Sequence, residues 1–185
     1  MSTLTDDARK IDAAEREGFT LTAYVVPDHD YRPGEDDDIY PRLIPEDRSG
    51  EGPEGYAFGR RFHGVVQGDL YHVEQEEIDR LREVAGHDGG GSAVEKRWLE
   101  SVESDAAALA DGSLGFVGVI VKASRAGIVF GEASLWGVED DHRCSRSAAQ
   151  SLAYQRQMAE ELGGEALADA KAKMAEVCGR SGVAR

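Results

Sequence analysis

The sequence predicts an α+β fold, in which a small antiparallel sheet is covered by helices and carries one long acidic, proline-rich loop. Three observations lead there. Two β-branched and aromatic runs, LGFVGVIVKA and IVFGEASLWGV, flank a short turn within residues 114–138, the pattern of an antiparallel hairpin. Several stretches repeat apolar residues every three or four positions, the period of a helix with one buried face. All five prolines fall between Pro27 and Pro53, so the strongest breakers are collected in one segment.

The elements follow in order. Leu4, Ala8, Ile11 and Ala14 predict a short amphipathic helix over 4–16, capped by Thr5 or Asp6 and ended by Gly18. FTLTAYVV, residues 19–26, reads as a strand. Residues 27–55 hold ten acids and three bases among the prolines. Proline removes backbone donors, so this segment is neither a continuous helix nor a central strand. A strand around 62–66, a turn at 67–69 and a short run at 70–73 come next. A helix follows over 74–85, with Val73, Ile78, Leu81 and Val84 or Ala85 as its stripe and acids at its positive end.

HDGGGS forms a flexible joint within 86–92, and a helix over 93–110 places Val94, Trp98, Val102 and Leu109 on one side. In the hairpin, Ser124, Arg125, Ala126 and Gly127 make the turn, and its first arm, apolar on both faces, belongs in the middle of a sheet. Leu152, Ala159, Leu162, Ala166, Ala170, Met174 and Val177 keep one apolar face through a final helix over 147–177. Gly163 and Gly164 interrupt its propensity but not its phase, which leaves a kink or a two-helix break; Glu160 and Glu161, which would oppose a helix C-terminus there, favour one continuous, bent helix. Residues 1–178 are expected to form a single domain, with 179–185 as a frayed tail.

Composition narrows the functional classes. The chain of 185 residues has 36 acids against 21 bases, a formal charge of −15. Nucleic-acid affinity comes from clustered cations that release counterions, so direct nucleic-acid binding is not expected. Anionic membrane surfaces are disfavoured for the same reason. A basic protein surface is the expected partner. No run of 18 apolar residues and no basic-then-apolar leader is present, which makes the cytoplasm the expected location. Cys144 and Cys178 are too few for a disulfide scaffold, and no C-x-x-C pairing supports zinc or redox chemistry.

The chemical candidates cluster in DHDYRPGEDDD. Asp28, Asp30, Glu35, Asp36, Asp37 and Asp38 make an acidic docking surface for a basic partner, and Trp136, just before Glu139, Asp140 and Asp141, is the aromatic candidate for the same surface. No cofactor is expected. The alternative is a divalent metal, Mg²⁺, Mn²⁺ or Ca²⁺, on Asp28, His29, Asp30, Asp36 and Asp38. Such a site is not an EF-hand, because Arg32, Pro33 and Ile39 stand where that loop needs a carboxylate, glycine and glutamate. Catalytic residues are not identifiable. Asp141, His142 and Cys144 have the types of a thiol site, but neighbours in one loop rarely converge as a relay. His63 and His72 flank a hairpin and can meet across it. The glycines at 86–91 precede no G-K-[ST], and Gly115 and Gly118 within a strand indicate close packing.

Two stretches, GFTLTAYVVPDHDYRPGEDDDIYP and GFVGVIVKASRAGIVFGEASLWGVED, resemble small uncharacterised acidic proteins of actinobacterial phages and prophages. The resemblance covers about 50 residues and carries no motif of assigned chemistry, so it transfers no catalytic residue. It implies a protein that binds and redirects or inhibits a host protein. The expected function is therefore non-enzymatic binding of a basic host protein, as an inhibitor or DNA mimic. A metal-dependent hydrolase or nuclease on the 28–38 carboxylates is the first alternative. A structural subunit of a homo-oligomer, using the apolar face of the last helix, is the second.

Overall fold

The computed structural model describes residues 7–33, 36, 39–42, 44–46, 60–66, 69–86 and 93–181. Glu35, Asp37, Asp38, the stretch 47–59, the glycine joint at 87–92 and residues 182–185 lie outside them. The elements run β1 (Arg9–Arg16), β2 (Phe19–Pro27), β3 (Ile44–Glu46), β4 (Arg60–Val66), β5 (Asp69–Glu74), α1 (Gln75–Val84), α2 (Ala93–Asp111), β6 (Leu114–Arg125), β7 (Ile128–Asp141) and α3 (Ser145–Ser181). The class is α+β. The chain divides into two compact units, Met1–His29 with Gly115–Arg185, and Asp30–Leu114, so the second is inserted between β2 and β6.

The first unit is a four-stranded sheet in the order β1-β2-β6-β7 with α3 on one face. Two tight turns build its hairpins. Glu17 and Gly18 have φ of 52° and 78°, and Ala126 and Gly127 have 51° and 78°. Positive φ at both central positions is the I′ form, whose twist matches paired strands. Residues 9–16 are therefore a strand, not the expected helix. Ala8, Ile11 and Ala14 have helical spacing, but only Ile11 of β1 is buried. With no apolar face to bury, backbone pairing to β2 decides the conformation.

The two hairpins join through β2 and β6, with Thr20 opposite Ser124 and Pro27 opposite Val117. Paired residues share a face, so Leu21, Ala23 and Val25 with Val119, Val121 and Ala123 make a buried layer. α3 is one continuous helix through Gly163 and Gly164 and runs on to Ser181, four residues past the expected end. Ala159, Gly163, Ala166 and Ala170, spaced by four, three and four, let it lie close to the sheet. It comes close at Gly131 of β7, where a Cβ would overlap the Ala166 carbonyl oxygen and lie 2.6 Å from the Ala170 nitrogen. Most of the apolar face assigned to oligomerisation packs within the chain's own unit, while Val177 at its end is exposed.

The second unit has a three-stranded sheet in the order β3-β5-β4, and its register sets His63 opposite His72. Three-residue β3 is an edge strand, the position that tolerates Pro45. Val73, Ile78 and Leu81 pack with Val102 and Ala106 of α2. Val84 and Val94, expected in the stripes, are exposed. Glu95 is buried in place of Val94, and its carboxylate accepts from Arg82 Nε at 2.9 Å. Arg82 also pairs with Asp79 at 2.5 Å and sits 5.9 Å from the Trp98 ring centre.

Candidate functional site

Like Tyr154 of α3, Trp136 is an exposed aromatic of the first unit. It stands on edge strand β7 at 48% exposure, beside Leu135 at 41%. Its indole is not loose. A Cβ at Gly118 would lie 2.6 Å from Trp136 Cζ3 and 2.8 Å from Cδ2, so the ring rests on the bare backbone of β6. The packing role expected of Gly118 is this seat, while Gly115 meets nothing within 4 Å.

Asp28 meets the same place from the other end of the chain. Its backbone N–H donates to the Phe116 carbonyl at 2.9 Å, continuing the β2–β6 pairing by one residue. Its Oδ2 accepts from the Gly137 N–H at 3.1 Å. Gly137 has φ of 72°, which bends β7 next to Trp136. Two of the predicted partner-binding residues, 108 positions apart in sequence, therefore share one corner of the sheet. The acidic run leaves the sheet at that corner.

In the second unit, part of the acidic segment is anchored to α1. Arg42 N–H donates to Glu77 Oε1 at 2.9 Å, and Arg80 donates to the Tyr40 carbonyl at 3.2 Å. Arg80 also holds Glu77 through bonds of 2.7 and 3.1 Å, and Pro41 between the two anchors is fully buried. Burial pushes the Glu77 carboxyl up, but the Arg80 and Arg42 bonds outweigh it and its pKa lies below the ordinary value. Asp36 closes a local turn, accepting from Arg32 N–H at 2.6 Å and donating to the Arg32 carbonyl at 2.9 Å. His29 and Asp30 are exposed. Among the described residues, no three His, Cys, Asp or Glu side chains gather to hold a metal ion. Of the metal candidates, Asp28 accepts the Gly137 N–H through Oδ2, and Asp38 lies outside the described residues.

The DDHRC corner joins β7 to α3, and its residues partner separately. Asp141 is buried and takes the Arg143 guanidinium at 2.7 and 3.1 Å, with the Arg143 N–H on Oδ1 at 2.9 Å. His142 pairs with Asp140 at 2.9 Å, and Asp140 also accepts from buried Gln155 at 2.8 Å. Cys144 caps α3: Ser147 N–H donates to its sulfur at 3.4 Å, and Cys144 N–H donates back to Ser147 Oγ at 3.1 Å. This is a capping box with sulfur at the N-cap and serine at N3. The Ser147 hydroxyl and the first helical N–H groups hold the exposed Cys144 thiol below its ordinary pKa. The corner thus ends a strand and starts a helix, and its aspartate, histidine and thiol form no relay.

Arg143 holds the Asp141 carboxyl down at about 2, against 3.8 ordinarily. A carboxylate depressed by folding stabilises the fold fully above its ordinary pKa, and that contribution disappears as pH falls through the lower value. Asp141→Asn should therefore cost about 1–3 kcal/mol at neutral pH, the range for charged hydrogen bonds. The deficit against the native chain should shrink between about pH 4 and pH 2. Acid unfolding of both chains, followed by circular dichroism, checks this; a deficit constant across that window refutes the assignment.

In comparisons with known proteins, no family model, no curated protein and no solved structure matches this chain. Among the described residues, no helix is long and apolar enough to cross a membrane.

Proposed function

We propose that this is a non-enzymatic binding protein for a basic protein surface, with Trp136 as its aromatic anchor and carboxylates as its charge partners. The observation that carries the reading is the seat of Trp136: a half-exposed indole held against Gly118, next to the Asp28 carboxylate, in a chain of charge −15. Interface energy concentrates in pre-positioned tryptophans, because a fixed ring loses little freedom on docking. Surrounding charge of one sign steers an oppositely charged partner and makes the complex salt-sensitive. Competition for a groove meant for nucleic acid is the inhibitory form of this function.

The test uses Trp98→Phe, which leaves Trp136 as the single indole, titrated with a defined arginine-rich peptide and with a basic DNA-binding domain. Binding should shift Trp136 emission and weaken steeply with added salt, and duplex DNA should compete for the DNA-binding domain. Trp136→Ala should weaken binding roughly tenfold to thirtyfold, the range of an interface hot spot. Salt-independent binding, or equal affinity without Trp136, would overturn the proposal.

A further inference from the structure

One helix does not roof a four-stranded sheet. The sheet face is roughly 15–19 Å wide, and a helix with its side chains is about 10–12 Å across. α3 lies mainly over β7, with its other packing on β2 and β1. Beside it, over the β1–β2 side, remains a trough of about 440 Å³, a size ordinary for small-molecule sites. Its floor is apolar and belongs to the core: Leu21, Ala23 and Val121 are each at most 5% exposed. Ala14 on one wall and Gly163 on the other keep it open, since neither has a side chain long enough to cross.

The polar groups of the trough stand at its rim: Asp12 and Arg16 from β1, and Arg156, Gln157 and Glu160 from α3. Arg156 Nε donates to the Ile11 carbonyl oxygen at 3.3 Å, which fixes the guanidinium at the rim. Its two Nη atoms make no hydrogen bond among the described residues. Arg16 faces it from β1, with Nη2 3.5 Å from a Glu160 carboxylate that is itself 75% exposed. An exposed pair at that distance is worth little and is readily exchanged. Asp12, the remaining acid, has Oδ1 occupied by the Ala13 N–H at 2.8 Å. In a strongly acidic chain, this trough therefore sets two arginines, balanced by Asp12 and Glu160 and joined by Gln157, over an apolar floor.

We propose that the trough binds a small amphipathic carboxylate. Its hydrocarbon body covers Leu21, Ala23 and Val121, and its carboxylate takes the open fork of Arg156, with Arg16 leaving Glu160 to serve as second donor. The planar guanidinium fork matches a carboxylate in two parallel bonds, which an alcohol or an amine cannot reproduce. Each methylene laid on the floor should strengthen binding about threefold to fourfold.

Octanoate, hexanoate, octan-1-ol and octylammonium are the probes, followed by calorimetry and by amide shifts of the ¹⁵N-labelled full chain. Octanoate should bind at least tenfold more tightly than octan-1-ol and about tenfold more tightly than hexanoate, with octylammonium weakest. Shifts should centre on Ala14, Ala23, Ala159 and Gly163. Arg156→Gln should reduce octanoate to the affinity of octan-1-ol while leaving octan-1-ol unchanged. Ala14→Phe, at an exposed position on the wall, should fill the trough and remove both. Equal binding of octanoate and octan-1-ol, undiminished octanoate binding by Arg156→Gln, or shifts centred elsewhere would each overturn the assignment.

Discussion

Gly131→Ala is expected to destabilise the protein by about 3 kcal/mol, the upper part of the range for overpacking a filled core. For a chain of this size that is a fall in Tm of roughly 6–12 °C. The added methyl has nowhere to go. It would overlap the Ala166 carbonyl oxygen and lie 2.6 Å from the Ala170 nitrogen and 2.9 Å from its Cβ. Two of these are backbone atoms of a continuous helix, so relief requires lifting α3 from the layer formed with β2 and β6 rather than turning one rotamer. Gly115→Ala is the matched control, since a Cβ there meets nothing within 4 Å. Calorimetric melting of the two variants should separate them clearly; equal Tm values would mean that α3 does not approach β7 this closely.

Arg82→Ala is expected to cost about 3–5 kcal/mol, the range for removing one partner of a buried pair. The Glu95 carboxylate, 7% exposed, would keep its place between α1 and α2 and lose the guanidinium at 2.9 Å. Most of that cost comes from a buried carboxylate losing its Arg82 donor, not from the attraction itself. Glu95→Gln added to Arg82→Ala should therefore recover a substantial part of the loss, because an amide is far cheaper to bury than a carboxylate. Urea unfolding read by Trp98 fluorescence in a Trp136→Phe background reports on this region directly, as the indole lies beside Arg82. A single variant within about 0.5 kcal/mol of the native chain, the scatter of neutral surface changes, would contradict the pairing.

These two positions also mark where the sequence was readable and where it was not. The β6–β7 hairpin and α3 were legible because their periods run for 12, 14 and 37 residues, long enough to outweigh local noise. β1 was not. Its alanines mimic a helical stripe, and only the I′ turn at Glu17 and Gly18 reveals that the chain doubles back. In α2 the misreading was one residue of phase: Val94 is the apolar one, but Glu95 faces inward because Arg82, 13 positions earlier, is there to receive it.

The candidate site divides in the same way. Trp136 and the glycine that seats it were visible as an odd aromatic and an odd strand glycine. The Asp28 bond to Gly137 spans 109 positions and leaves no trace in local spacing. The anchoring of the acidic segment by Arg80 and Glu77 was hidden for the same reason, since it joins residues 35 and 40 positions apart. The trough was least accessible of all. It arises from a mismatch between the width of a sheet and the width of a helix, and no motif encodes that.

The insertion of the second unit between β2 and β6 has a kinetic meaning. β1–β2 and β6–β7 are each closed by two residues, and α3 follows β7 directly, so these pieces form locally. The pairing that unites them, Pro27 with Val117, must close over the whole of Asp30–Leu114. Against a five-residue connection, a floppy segment of that length adds about 2.5 kcal/mol of closure entropy. A segment already condensed into its own compact unit behaves as a much shorter tether. The order of events is then set by topology: the insert consolidates, its ends draw near, and the central strand pair zips last, making β2–β6 the slow step of folding.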